Sequence, residues 1–314
     1  MTARRPATKS KRAVDREIKH YLRTGEHDHD FTGWPGRDYL SRVTAGEQAI
    51  EDALVAEVKR LEAGCTLPSL PDGFDPTTFA RRKVTPMVTG LFPAKERETI
   101  LELLESSLVF LTHDNIEQVL REEHWLSSAW DLANLYLGSI GSKCLNGKPT
   151  YLVGLSQETT CYVSTEYFSD EDPFADFVVH EAAHVFHNWK RERVGLPHTR
   201  YQEWLLPIDY SKREQFAYAC EAYGRILERA KSPAERRRLH AEYAESWVPS
   251  IDRVEQDELV DILAEAVTAR NGWKRILERC APPKRVPWSV LIKQAARDGV
   301  VSSDRSLVTK NEKQ

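Results

Sequence analysis

The 314-residue chain has no run of about 18 apolar residues, so a membrane-spanning helix is not expected. Its basic start, Met1 to Arg12, is followed by no apolar h-region. The chain therefore does not read as opening on a secretory signal, and a cytoplasmic location is expected, with non-classical secretion still compatible. The five cysteines (Cys65, Cys144, Cys161, Cys220 and Cys280) are odd in number, widely scattered and form no CxxC. That excludes a disulfide framework and a thiolate metal site, and favours reduced thiols. Cys161 stands between Thr160 and Tyr162 without a nucleophile signature, and reads as a strand-core thiol. The formal net charge of -4 argues against a general nucleic-acid binder. There is no internal repeat. Hydrophobic residues at 41% and charged residues at 29% are ordinary for a globular protein with a substantial core in one or two domains.

Against that background one pentapeptide carries chemistry. His180-Glu181-Ala182-Ala183-His184 is an HExxH pattern inside an apolar run from Phe177 to Phe186. On a helix, residues i and i+4 share a face one turn apart, so two imidazoles can bind one metal ion, and Glu181 can deprotonate a water that the metal activates. The setting is helical. Ala fills both variable positions, Asp172 and Asp176 precede the run with Pro173 between them, Lys190, Arg191 and Arg193 follow it, and Gly195 is a plausible stop. A buried glutamate needs a partner, and a metal site supplies one. The alternative is a core helix with two satisfied histidines and a Glu paired to an Arg.

A catalytic zinc usually takes three protein ligands and keeps one open position. In the HExxHxxGxxH version of the motif, His187 would fall on the Gly and Lys190 on the third His, so that version is absent. The other common source is a Glu on a later helix. Residues 211–230 read as that helix, with an apolar stripe of Phe216, Ala217, Cys220, Tyr223, Gly224 and Leu227. Glu214, Tyr218 and Glu221 lie at i, i+4 and i+7 on a neighbouring face. Ser211 and Glu214 also have capping-box spacing, a role that competes with metal binding.

With His180-Glu181-Ala182-Ala183-His184 and Glu214-Gln215-Phe216-Ala217, the chain resembles the zincin metallopeptidases of the Glu-ligand, gluzincin-like type, over about residues 150–230. The resemblance implies one Zn²⁺ per chain held by His180, His184 and Glu214, with Glu181 as the base and a peptide or protein as substrate. It departs from the pattern at Tyr218, where a companion Asp is frequent, and this keeps Glu221 as a rival third ligand. It also implies a strand beside the helix that pairs with extended substrate, here within 160–167 and including Thr160, Cys161, Tyr162 and Val163. An ordinary covering sheet is the alternative. Candidate oxyanion donors are Tyr210, Tyr218, His198 and Tyr201. His187 is either a residue behind the ligands or a partly exposed helix histidine.

The rest reads as scaffold. Residues 1–35, basic and then His/Asp-rich at His27 to Asp30, read as a disordered arm. Residues 36–145 form a helical region with helices at 39–64, 93–112, 113–122 and 126–137 and a loop at 68–76. Residues 146–282 form the catalytic region, with a hairpin at 150–168 turning at 156–158 and later helices at 233–246, 257–268 and 273–280. Residues 283–314 form a partly disordered extension with a short helix at 288–296. The expected fold is mainly α with a small sheet, a zincin-like mini-domain embedded in a helical protein. The expected function is a zinc metallopeptidase of narrow intracellular substrate range. Two rivals remain: a non-catalytic protein whose metal site is closed by His187 or Glu221, and a helical interaction protein. Nothing in the pattern fixes an oligomeric state.

Overall fold

The computed structural model describes residues 11–66, 70–71, 73–148, 153–157, 160–169, 171–199, 202–246 and 254–283. In chain order these form α1 (Lys11–Thr24), α2 (Tyr39–Glu62), α3 (Pro76–Leu91), α4 (Ala94–Ser107), β1 (Leu108–Leu111), α5 (Ile116–Glu122), α6 (Leu126–Ser139), β2 (Gly154–Gln157), β3 (Thr160–Ser164), α7 (Phe177–Asn188), α8 (Arg213–Arg229), α9 (Pro233–Glu245), α10 (Gln256–Thr268) and α11 (Gly272–Cys280). Single 3-10 turns lie at Thr165–Phe168, Arg191–Val194 and Tyr210–Lys212. The protein is thus mainly helical with a small mixed sheet. No helix of the described residues is long and apolar enough to cross a membrane. The first ten residues of the expected arm, the expected helix at 288–296 and Tyr201 lie outside the described residues.

Helix starts follow local chemistry. The carboxylates of Asp38, Asp75 and Asp176 and the hydroxyl of Ser232 accept from the first free amides of α2, α3, α7 and α9, and Pro76 and Pro233 fill first-turn positions.

The three strands run in the order β1-β3-β2. β1 is parallel to β3, with Leu108 opposite Cys161, and β2 is antiparallel to it, with Gly154 opposite Val163. Successive side chains of a strand face opposite ways, and each face of this sheet closes a different core. Cys161, Val163 and Phe110 join the core of α3, α4 and α7 to α11. Tyr162 and Leu111 join the core of α1, α2, α5 and α6.

Several expectations are corrected. Residues 11–24, placed in a disordered arm, form α1. Its Val14, Ile18, Tyr21 and Leu22 pack on the α2/α6 core, and the Tyr21 hydroxyl donates to the Leu126 carbonyl at 2.6 Å. Many charges hid that stripe. Helix α3 was not expected, because its interior Pro86 reads as a breaker. The helix expected at 93–112 stops at Ser107, and Leu108–Leu111 pairs with a strand about fifty residues away, which no local pattern announces. The hairpin is present as β2 and β3, but Thr165–Phe168 is a 3-10 turn rather than more strand. Nor do the cores divide at residue 145: α3 and α4 belong with the helices of the second half.

Candidate metal centre

Helix α7 is buried from Val178 to His187 and packs against α8, β3 and β2. Its two motif histidines turn to the α8 side. His180 Nε2 and His184 Nε2 lie 3.3 Å apart. Glu214 Oε2, from the first turn of α8, lies 3.8 Å from the first and 3.7 Å from the second. These three side chains are the one group of metal-capable residues that gathers among the described residues.

Glu221 stands elsewhere. Its Oε2 lies 3.1 Å from His180 Nδ1, on the far side of the ring, and its Oε1 accepts the Asp176 amide at 2.7 Å. Asp176, the cap of α7, takes Lys83 Nζ at 2.8 Å and the Tyr167 hydroxyl at 3.2 Å. Lys83 also reaches Glu228 of α8 at 2.8 Å. A buried chain of charge-assisted bonds therefore runs from α3 through the start of α7 to the back of His180.

Two lone pairs cannot share 3.3 Å without something positive between them. In the protein alone a proton serves. Burial pulls His180 down, but the Glu221 hydrogen bond and the charges of Glu221, Glu181 and Glu214 outweigh it and raise its pKa to about 9. His184 is pushed down to about 2 by burial, then by His180, His187 and Arg213. His180 is thus an imidazolium that donates toward Glu221 and toward His184. A divalent cation fits the same point, facing two imidazole nitrogens and a carboxylate. That donor set suits zinc.

The Ser211–Glu214 capping box does not form. Ser211 Oγ donates instead to Asp209 at 2.6 Å, and α8 starts without a side-chain cap. Glu214 is consequently free of the role that competed with metal binding.

The remaining candidates separate by position. Tyr218 packs edge-on against the His180 ring with centroids 4.4 Å apart, and burial together with Glu221, Glu214 and Glu181 keeps its phenol protonated. His187 is buried with its ring against His184 and is held neutral, near pKa 3, by burial and Arg213. Tyr210 is exposed beneath the Arg213 guanidinium, and His198 is exposed near Glu192. Cys161 is buried and donates to the Glu181 carbonyl at 3.2 Å, a structural role.

The substrate strand at Thr160, Cys161, Tyr162 and Val163 is corrected. β3 is the middle strand, with β1 on one edge and β2 on the other, so its backbone has no edge left for a peptide. The outer strand beside the helix is β2. A Cβ built on its Gly154 would stand 2.8 Å from Glu181 Oε1 and 2.9 Å from its Cγ. Gly154 thus makes room for the motif glutamate. The signal for it was a glycine inside a strand pattern, which marks close approach. Arg213, next to Glu214, was also missed, since a charge at a helix start reads as solvated surface.

No family model matches the sequence, and neither a curated protein nor a solved structure matches the chain.

Proposed function

We propose that the protein is a zinc-dependent metallopeptidase of narrow, intracellular substrate range. The observation that carries this reading is the convergence of His180 Nε2, His184 Nε2 and Glu214 Oε2 on one point, with Glu221 locking the far nitrogen of His180. The group has three members among the described residues, as a site with an open position does. A closed structural site needs a fourth.

Zinc held there would act as a Lewis acid and acidify a water molecule. His180, His184 and Glu214 would hold the ion, and Glu221 fixes the His180 ring and its tautomer. Glu181, on the helix turn between the two histidines, accepts the proton of the attacking water and passes it to the leaving amine. Tyr218, protonated beside His180, donates toward the developing oxyanion. The outer edge of β2 holds the peptide in extended form over Glu181.

Metal analysis of the purified full chain should give about one zinc per chain. Glu181→Gln should keep that zinc and abolish the peptide cleavages seen in a proteome-wide comparison with wild type. Undiminished cleavage by the variant would remove Glu181 as base, and a protein that takes up no zinc would end the metallopeptidase reading.

A further inference from the structure

Seven buried side-chain polar atoms have no hydrogen-bond partner among the described residues, and three of them, His187 Nδ1, Trp189 Nε1 and Arg213 Nε, belong to residues that line one cavity. The cavity has a volume of ≈ 580 Å³ and is completed by Lys190, Arg193 and Trp204. Lys190 is engaged with Glu203 at 2.6 Å. Arg193 and Arg213 have no acidic partner among the described residues. His187 is only 6% exposed, so its orphaned nitrogen is sheltered from bulk water. Unpaired buried polar atoms are rare, and three residues around one cavity carry one each, beside two guanidinium groups without an acidic partner among the described residues.

The cavity adjoins the metal-capable group. The His187 ring stacks edge-on against His184 at 5.2 Å, and Arg213 directly precedes Glu214. We propose that this cavity is a carboxylate subsite, which takes an anionic end of the peptide substrate beside the scissile bond. The guanidinium of Arg213 offers a planar fork that matches a carboxylate, and Arg193 on the same lining adds a second cation. A peptide can bring that carboxylate as an Asp or Glu side chain or as its C-terminus. The assignment to substrate rests on the metallopeptidase reading; the carboxylate binding itself does not.

Binding is therefore read without turnover, by ligand-observed NMR on the full chain dialysed free of metal. The probes are acetyl-glutamate amide (side-chain carboxylate), acetyl-alanine (terminal carboxylate) and acetyl-glutamine amide (neutral). At least one carboxylate probe should bind saturably and the neutral one should not. Which of the two binds tells the side chain from the terminus. Arg213→Gln should weaken that binding tenfold or more. Arg193→Gln changes an exposed residue and should weaken it in the same direction without disturbing the start of α8. Equal binding of the neutral probe, no saturable binding of either carboxylate, or indifference to both substitutions overturns the subsite. A protein that binds the carboxylates but cleaves no peptide overturns the peptidase reading alone, and a peptidase blind to them overturns the subsite alone.

Discussion

Glu214 and Glu221 sit two turns apart on one face of α8, and the distinction between them lies in which nitrogen of His180 each one meets. Glu214 faces Nε2, and Glu221 sits behind on Nδ1. The sequence could narrow the choice to these two but not make it, because seven residues is nearly two full turns and both carboxylates point the same way. Only the depth at which α8 docks on α7 separates them. Glu221→Gln should lower zinc affinity about 10–100-fold, the usual loss when a carboxylate behind a ligand histidine is removed. Glu214→Gln should lower it further. Competition against a chromogenic chelator measures both, and the reverse order would make Glu221 the ligand. Gly154 gives a second contrast. Gly154→Ala puts a methyl against the Glu181 carboxylate, so that side chain must move. Hydrolysis should fall by about 100-fold, as misplacement by about an ångström can do, with zinc content unchanged. Equal rates in the alanine variant would show that Glu181 does not act from this position.

At the scale of elements, the segment after α7 is held by one buried ion pair. Arg191 Nη2 meets Glu96 Oε1 of α4 at 2.8 Å, and Arg191 also donates to the carbonyls of Pro197 and Leu205. Removing one member of such a pair leaves a buried charge alone. Glu96→Ala should destabilise the protein by about 3–5 kcal/mol in chemical denaturation, while breaking an exposed, solvent-screened pair such as Lys190–Glu203 should change stability far less. Sequence reasoning read Arg191 as one of several cations at a helix end, since burial of a charge has no local signature. The same division runs through the rest of the fold. The helices α2, α6, α8, α10 and α11 were legible because their apolar stripes are local, and α9 because its Ser232 cap and Pro233 are. β1 was not, because four apolar residues continue a helical pattern as well as they start a strand, and the deciding partner β3 is remote in sequence. α3 was hidden by Pro86, which a helix tolerates when tertiary packing holds both sides.

For the molecule as a whole, three histidines at the centre set a pH dependence. His180 is raised to about 9, so it stays protonated in the folded protein above pH 6.5, where the unfolded chain has released that proton. Its contribution to stability is complete below 6.5 and disappears as pH rises through 9. His184 and His187 are depressed to about 2 and about 3, so below pH 6.5 the unfolded chain binds two protons that the folded one refuses. Stability then falls with acid, by about 1.4 kcal/mol per pH unit for each proton. From these three groups the metal-free protein should be most stable near pH 6.5, read from denaturation midpoints across the range. Added zinc should remove the alkaline decline, because an ion held by His180 would take the place of its Nε2 proton. A metal-free profile that stays flat from pH 6.5 to 9 would contradict the protonation assigned to His180. The strand beneath this site has a consequence of its own. β3 gives Tyr162 to one core and Cys161 and Val163 to the other, so neither core is complete without it. Two hydrophobic bodies that share a wall cannot melt independently: opening either one strips the strand that roofs the other. The chain should behave in unfolding as a single cooperative unit, and a fragment cut on either side of the sheet should not keep its half of the structure.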